Sequence, residues 1–311
     1  NQRAAGGKCT LWAEGQNFHA VRGSCPEAAA ARRHERTVAL CDVDAQSSYI
    51  VDVFRVAGGA DHVKFQHSHF GELELDGVAL GPAAPLVSGV PMRNFRMGRV
   101  PDSGFAARWT MQDRYGLLKA GQTVGLQHWE LTEDAEAGIC EGWIAVGGYS
   151  TNDELWIPRL VVHRRATKPV STFLAVMEPH NGQPHVESVR RLRLISPSGL
   201  GDNGASCAVE VRRTDGLRDI VVVPDPERTG GTVNVPDAGL TLDGDLCRVT
   251  LDSQGQVRRV AAVGCLDLRI GGLTLRGKAP DARSLIELEL RGRNVRVLTG
   301  KQSVASVSVA D

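Results

Sequence analysis

Apolar and polar residues alternate with a period of two through most of this chain, and that rhythm predicts β-strands rather than helices. Strands are predicted at Thr37–Leu40, Tyr49–Val56, Leu73–Leu75, Arg108–Met111, Val124–Trp129, Leu160–His163, Thr172–Met177, Arg190–Ile195, Ala208–Arg212, Ile220–Val223, Cys247–Leu251, Val257–Val263, Leu266–Ile270, Ser284–Leu290 and Val295–Leu298. They are short and rich in Val, Ile, Leu and Thr. The joints between them carry turn chemistry: Ala57-Gly58-Gly59, Asp76-Gly77, Asp215-Gly216, Asp243-Gly244, Ser253-Gln254-Gly255 and Gly271-Gly272. Glycine there supplies the positive φ that hairpin turns require.

Regular short strands with such turns predict an all-β fold, an antiparallel multi-strand β-sandwich of large stacked sheets with a smaller C-terminal β subdomain. The one helical candidate, Pro26–Glu35, is rich in alanine and arginine without a clear apolar stripe, and reads equally well as a polar connection. Long loops are expected at Gly81–Arg108, with its four prolines, at Leu131–Cys140 and at Pro179–Pro184. The first has a composition suited to covering a sheet face or edge. The run Ser-Pro-Ser-Gly-Leu-Gly-Asp-Asn-Gly-Ala at Ser196–Ala205 is the most linker-like, and it divides the chain into 1–197, the main sandwich region, and 198–311, the C-terminal strands.

Charge narrows the partners. Lysine plus arginine equal aspartate plus glutamate at 36 each, so no bulk field draws the chain to nucleic acid or anionic lipid. Apolar runs such as Ile220–Pro224 fall far short of the roughly 20 residues that cross a bilayer. Seven scattered cysteines include no C-x-x-C pair, and they read as small buried apolar residues in preference to a disulfide framework.

Candidate chemistry is densest at Asp61-His62-Val63-Lys64-Phe65-Gln66-His67-Ser68-His69. In an extended strand His67 and His69 share one face and His62 takes the other. Two readings stand: the histidines line a polar sheet face, or His62, His67 and His69 bind substrate or, as in a cupin-like metalloenzyme, a metal. His180 and His185 sit with Asn181 in a segment that turn chemistry alone explains. The clusters Arg32-Arg33-His34-Glu35-Arg36, His163-Arg164-Arg165 and Arg190-Arg191-Leu192-Arg193 either form a solvated face or present guanidinium forks to carboxylate or sulfate. There is no G-x-S-x-G elbow, P-loop, dinucleotide fingerprint or H-E-x-x-H. Tyr49, Tyr115 and Tyr149 are the only phenols, and none has a histidine neighbour in sequence.

The block Tyr49-Ile50-Val51-Asp52-Val53-Phe54-Arg55-Val56, preceded by Arg36–Leu40 and followed by Gly58-Gly59, His62, His67 and Asp76-Gly77, resembles the C-terminal β-sandwich of the heparinase II/III-like polysaccharide lyases. Val161–Arg165, Thr172–Pro179 and the strands from Asp243-Gly244 to Gly277 resemble it too. The resemblance implies cleavage of uronic-acid-containing polysaccharide by β-elimination, with an N-terminal helical toroid of the same parent protein as partner and a periplasmic or secreted location. It also implies a divalent metal such as zinc, held in some members by His and Asp of an early Gly-His motif. Neither the toroid nor that motif occurs here, so the chain is expected to be the later part of such a lyase, with no catalytic residue, no metal ligand and no cofactor of its own. His62, His67 and His69 are its expected substrate contacts. The alternative is a non-catalytic carbohydrate-binding or scaffold module.

Overall fold

The computed structural model describes residues 6–29, 31–144, 155–165, 170–196, 204–278 and 284–310. Among them strands pair antiparallel, as Lys8–Glu14 does with Phe18–Ser24, and the helical turns are short 3-10 pieces such as Pro26–Ala29. The chain is thus an all-β protein of stacked antiparallel sheets, as the period of two predicts. Two compact units are formed: Asn1–Gly58, Lys168–Leu174 and His185–Asp311 make the first, and Gly59–Thr167 with Ala175–Pro184 the second. Most of the linker-like run lies outside the described residues.

In the first unit, Lys8–Glu14, Phe18–Ser24, Arg33–Asp42 and Ser48–Ala57 form a meander. A seven-stranded sheet runs in the order Val186–Arg191, Cys207–Arg213, Arg218–Val223, Leu246–Leu251, Val257–Val263, Leu285–Arg291, Asn294–Thr299. A five-stranded sheet joins Val233–Val235, Leu240–Asp243, Asp267–Ile270, Leu273–Gly277 and Val304–Val309.

The seven-stranded sheet is buried on both faces at its middle, which is why Leu246–Leu251 has six buried residues in a row instead of alternating. Its two faces differ. Ile220, Val222, Cys247, Val249, Val260, Ala262, Ile286 and Leu288 meet Leu240, Leu242, Leu268 and Leu275 of the five-stranded sheet in one apolar core. The opposite face carries Asp219, Arg248, Thr250 and Glu287, which bond to Tyr49, to the carbonyls of Asn17 and Asp42, and to the Gln16 and Asn17 amides. Buried charge is tolerated there because each group finds partners.

Asp243-Gly244 proves not to be a hairpin turn. Leu240–Asp243 pairs within the five-stranded sheet and Leu246–Leu251 within the seven-stranded one, so the chain changes sheets at this corner. Gly244 is needed for space and not for positive φ: a Cβ there would lie 3.0 Å from Leu242 Cδ1 and 3.2 Å from Cys265 Cα.

The second unit pairs the later part of Ser171–Asn181 with Val124–Glu130, then Phe105–Met111 and Gly71–Asp76. Its other sheet orders Asp61–His67, Leu155–Arg165, Glu136–Ile144 and Met92–Arg99. All three expected long loops are shorter than predicted, because Gly81–Arg108 contains the strand Met92–Arg99, Glu136–Ile144 begins inside Leu131–Cys140, and the strand from Ser171 runs on through Pro179 and His180. Backbone pairing overrode composition. The proline-rich stretch does cover an edge: the Gly81 and Ala84 amides donate to the carbonyls of Met97 and Phe95, and Leu86 packs on the Phe95–Cys140–Val161 cluster.

No disulfide joins the seven cysteines, five of which are buried. Burial pushes the Cys41 and Cys265 thiols up to about 12, consistent with inert packing residues.

Candidate functional site

The histidine strand Asp61–His67 pairs with Leu155–Arg165, placing His62 opposite Arg164 and His67 opposite Arg159. Alternation sends His62, Lys64 and Gln66 to one face and Asp61, Val63, Phe65 and His67 to the other. His62 is buried and His67 exposed. The strand ends at His67, because the chain must bend through Ser68–Phe70 to enter Gly71–Asp76, a strand of the other sheet. His69 therefore sits in the bend and does not extend the face of His67.

The bend turns His69 onto aromatic neighbours. Its ring lies edge-on to Phe70 at 5.0 Å and to Tyr115 at 5.7 Å, and Arg114 holds its guanidinium 4.8 Å from the Phe70 ring centroid. The segment bearing Arg114 and Tyr115 is shaped by Asp113, whose carboxylate accepts the Leu117 amide at 2.9 Å and the Leu118 amide at 2.8 Å. Those amides hold the Asp113 carboxyl below its usual range. The Gln112 amide donates to the Phe70 carbonyl at 2.9 Å and fixes the segment beside the bend. The result is a solvent-facing group of imidazole, phenol and guanidinium, with Tyr115 about half exposed. The sequence offered no pointer to the His69–Tyr115 pairing, since the two lie far apart along the chain.

A second polar group lies inside this unit. Glu130, fully buried, stands 4.0 Å from Lys64 Nζ, accepts from His128 Nε2 at 3.1 Å and is bonded by the Thr132 hydroxyl. Burial disfavours its charge, yet Lys64, His128 and Thr132 together keep its carboxyl below the ordinary value. Trp109 packs edge-on against His128 at 6.0 Å. Enclosure makes this a structural network.

Two of the three basic clusters turn their middle or leading residues inward into ion pairs, while Arg32, Arg36 and Arg165 are exposed. Arg33 is buried and holds Asp225 at 2.6 Å and Glu35 at 3.0 Å. His163 bridges Asp61 at 3.1 Å and Glu136 at 3.3 Å, and Arg164, buried, reaches Asp134 at 3.7 Å. The third does present exposed guanidinium, with Arg190 half exposed on Glu210. His180 lies on a strand with its ring above Gly125, and His185 stands 3.8 Å from Asp44.

The divalent metal that the resemblance assigns to the parent lyase does not fit the residues present: among the described residues no group of three or more His, Cys, Asp or Glu is placed to hold a metal ion. His62, His67 and His69 do not converge. No helix among the described residues is long and apolar enough to cross a membrane.

No family model matches the sequence, and no curated protein matches it either. Among solved structures the chain is similar to the heparan sulfate lyase HepC from Pedobacter heparinus, at 14% identity and a TM-score of 0.37. A mutant of that enzyme gives 13% and 0.36. Both alignments cover 71% of this chain and 28% of the other, so the chain spans under a third of that enzyme's length.

Proposed function

We propose that this chain is the sandwich portion of a polysaccharide lyase that cleaves uronic-acid-containing polysaccharide by β-elimination, supplying part of the cleft wall and a docking surface for a helical catalytic part. The observation that carries this reading is the exposed group of His69, Tyr115 and Arg114 at the end of the histidine strand. β-Elimination needs a cation beside the uronate carboxylate, a base for the C5 proton and an acid for the leaving oxygen. Guanidinium, imidazole and phenol are suited to contacting such a substrate, with His67 exposed two residues before His69, while His62 is buried on the other face of the strand. The parent protein is periplasmic or secreted on this reading, and any divalent metal it uses lies outside this chain.

The test is to incubate the chain with heparan sulfate, hyaluronan and alginate, measuring binding by calorimetry and unsaturated uronate by its near-ultraviolet absorbance. Binding without product by this chain alone, weakened by His69→Ala and Tyr115→Phe, is the expected result. Turnover by the isolated chain, or no binding to any of the three, overturns the reading.

A non-catalytic carbohydrate-binding role is favoured by a different observation. Trp12, 54% exposed, lies on the outer face of the N-terminal meander beside Val21, Val38 and Leu40, with Glu14 and His19 bordering a recess of ≈ 280 Å³. An exposed indole flanked by a few polar groups suits the apolar face of a sugar ring. Binding of neutral saccharide lost in Trp12→Ala and untouched by Tyr115→Phe would favour this second role.

A further inference from the structure

Arg190, Glu210, Arg212 and Arg218 come from three neighbouring strands at one end of the seven-stranded sheet. Register places Arg190 opposite Glu210 and Arg212 opposite Arg218. Two like charges directly opposite one another destabilise a sheet. Both lean instead on the one carboxylate: Arg212 Nε donates to Glu210 Oε1 at 3.1 Å and Arg218 Nη1 to Oε2 at 2.9 Å. Arg190 grips the same carboxylate with two bonds, at 2.9 and 3.2 Å.

Four N–H donors thus fill the lone pairs of Glu210, whose side chain is covered by the arginines themselves. The carboxyl is held down at about 2 by Arg190 first, then Arg212 and Arg218. Three guanidiniums share this one carboxylate, with Asp237 acting on Arg190 only through space. Exposed arginines are also matched singly, as in Arg93–Glu141 and Arg258–Asp252, or two to a carboxylate, as Arg269 and Arg276 on Asp267 and Arg291 and Arg296 on Glu289. The outer nitrogens of Arg212, Nη1 and Nη2, have no acceptor among the described residues. Its side chain is 58% exposed.

We propose that Arg190, Arg212 and Arg218, organised by Glu210, form an anion-binding patch that takes a sulfate or carboxylate group of an acidic saccharide. The saccharide part of this assignment rests on the reading given under Proposed function; the patch itself rests on the arginine geometry. Guanidinium forks pinned at one edge present the other edge in fixed orientation, which suits paired hydrogen bonds to an oxyanion and lowers the cost of ordering the side chains on binding.

Calorimetry on the full chain at low salt, with heparan sulfate and hyaluronan oligosaccharides and neutral dextran, tests it. Both acidic ligands are expected to lose about tenfold or more in affinity in the Arg212→Ala/Arg218→Ala double variant. Stronger binding of the sulfated ligand identifies sulfate as the recognised group, and equal binding identifies carboxylate. The double variant should stay folded and lose only a few degrees in thermal midpoint, because Arg190 keeps its two bonds to Glu210 and a like-charge pair is removed, so that the affinity loss is read on a folded chain. Undiminished affinity in the double variant overturns the patch while leaving the lyase reading standing. Should the native chain bind neither polysaccharide, that reading fails, and titration with inorganic sulfate then decides the patch alone. Shifts of the Arg212 and Arg218 Nε–H resonances support it, and their absence overturns it.

Discussion

Tyr49 donates its hydroxyl to Asp219 Oδ2 at 2.8 Å, tying the strand Ser48–Ala57 to the strand Arg218–Val223. Asp219 also receives Arg248 Nη2 at 2.9 Å and the Thr250 hydroxyl, and Arg248 donates to the carbonyls of Asp42 and Asn17. Tyr49 and Asp219 are both fully buried. The most specific part of the family-like block therefore begins on a residue that serves internal structure.

Removing the two partners should have unequal effects. Tyr49→Phe deletes one bond and leaves Asp219 with Arg248 and Thr250, at a cost of about 1–2 kcal/mol. Asp219→Ala strands Arg248 without its carboxylate and should cost about 3–5 kcal/mol. Urea unfolding of both variants measures the difference; a larger loss for Tyr49→Phe would contradict this account of the network.

Acid should destabilise the protein through its paired carboxylates. Burial opposes the charge of Asp219 and Glu130, but their partners keep both below the ordinary range, and Arg190 leads in holding Glu210 at about 2. Unfolded Asp and Glu titrate near about 3.9 and 4.3, so each group stabilises the fold above that value and loses its contribution as pH falls toward the folded pKa. The urea midpoint should be flat from about pH 7 to 5 and drop between about 4.5 and 2. Glu210→Gln should flatten the lowest part of that drop.

Gly138 sits where a Cβ would lie 2.0 Å from the Arg96 carbonyl oxygen of the neighbouring strand. Backbone cannot yield there without breaking the pairing of Glu136–Ile144 with Met92–Arg99. Gly138→Ala should cost about 2–4 kcal/mol, at or above the usual overpacking range. Thermal unfolding gives the number, and a neutral result would mean that the two strands are not paired in this register.

Arg114→Ala should leave the thermal midpoint within about 2 °C, since the side chain is exposed and its guanidinium rests on the Phe70 ring. Its effect belongs in the affinity for acidic oligosaccharide, which should fall about threefold to tenfold. A large stability loss with unchanged affinity would assign Arg114 to structure alone.

Period-two patterning settled the fold class, and where both faces of a strand are buried it settled limits as well: Val257–Val263 was predicted and observed with the same ends. The strands Lys8–Glu14 and Phe18–Ser24 escaped notice because their inward positions include Ala13, Ala20 and the buried Arg22. An arginine turned inward erases the apolar signal. Met92–Arg99 was hidden by flanking prolines, which bar regular pairing only where an amide is needed.

What the sequence by itself determined was an all-β chain with its histidines and arginines concentrated in a few segments, because strand alternation is local and reads directly from neighbouring residues. Only the tertiary structure decided which groups meet. A bend at Ser68–Phe70 set His69 on Tyr115, and antiparallel register set Arg212 against Arg218 with Glu210 between them and Arg190. Such meetings depend on which strands become neighbours and in what register, a choice made by burial across the whole chain and invisible in any one segment.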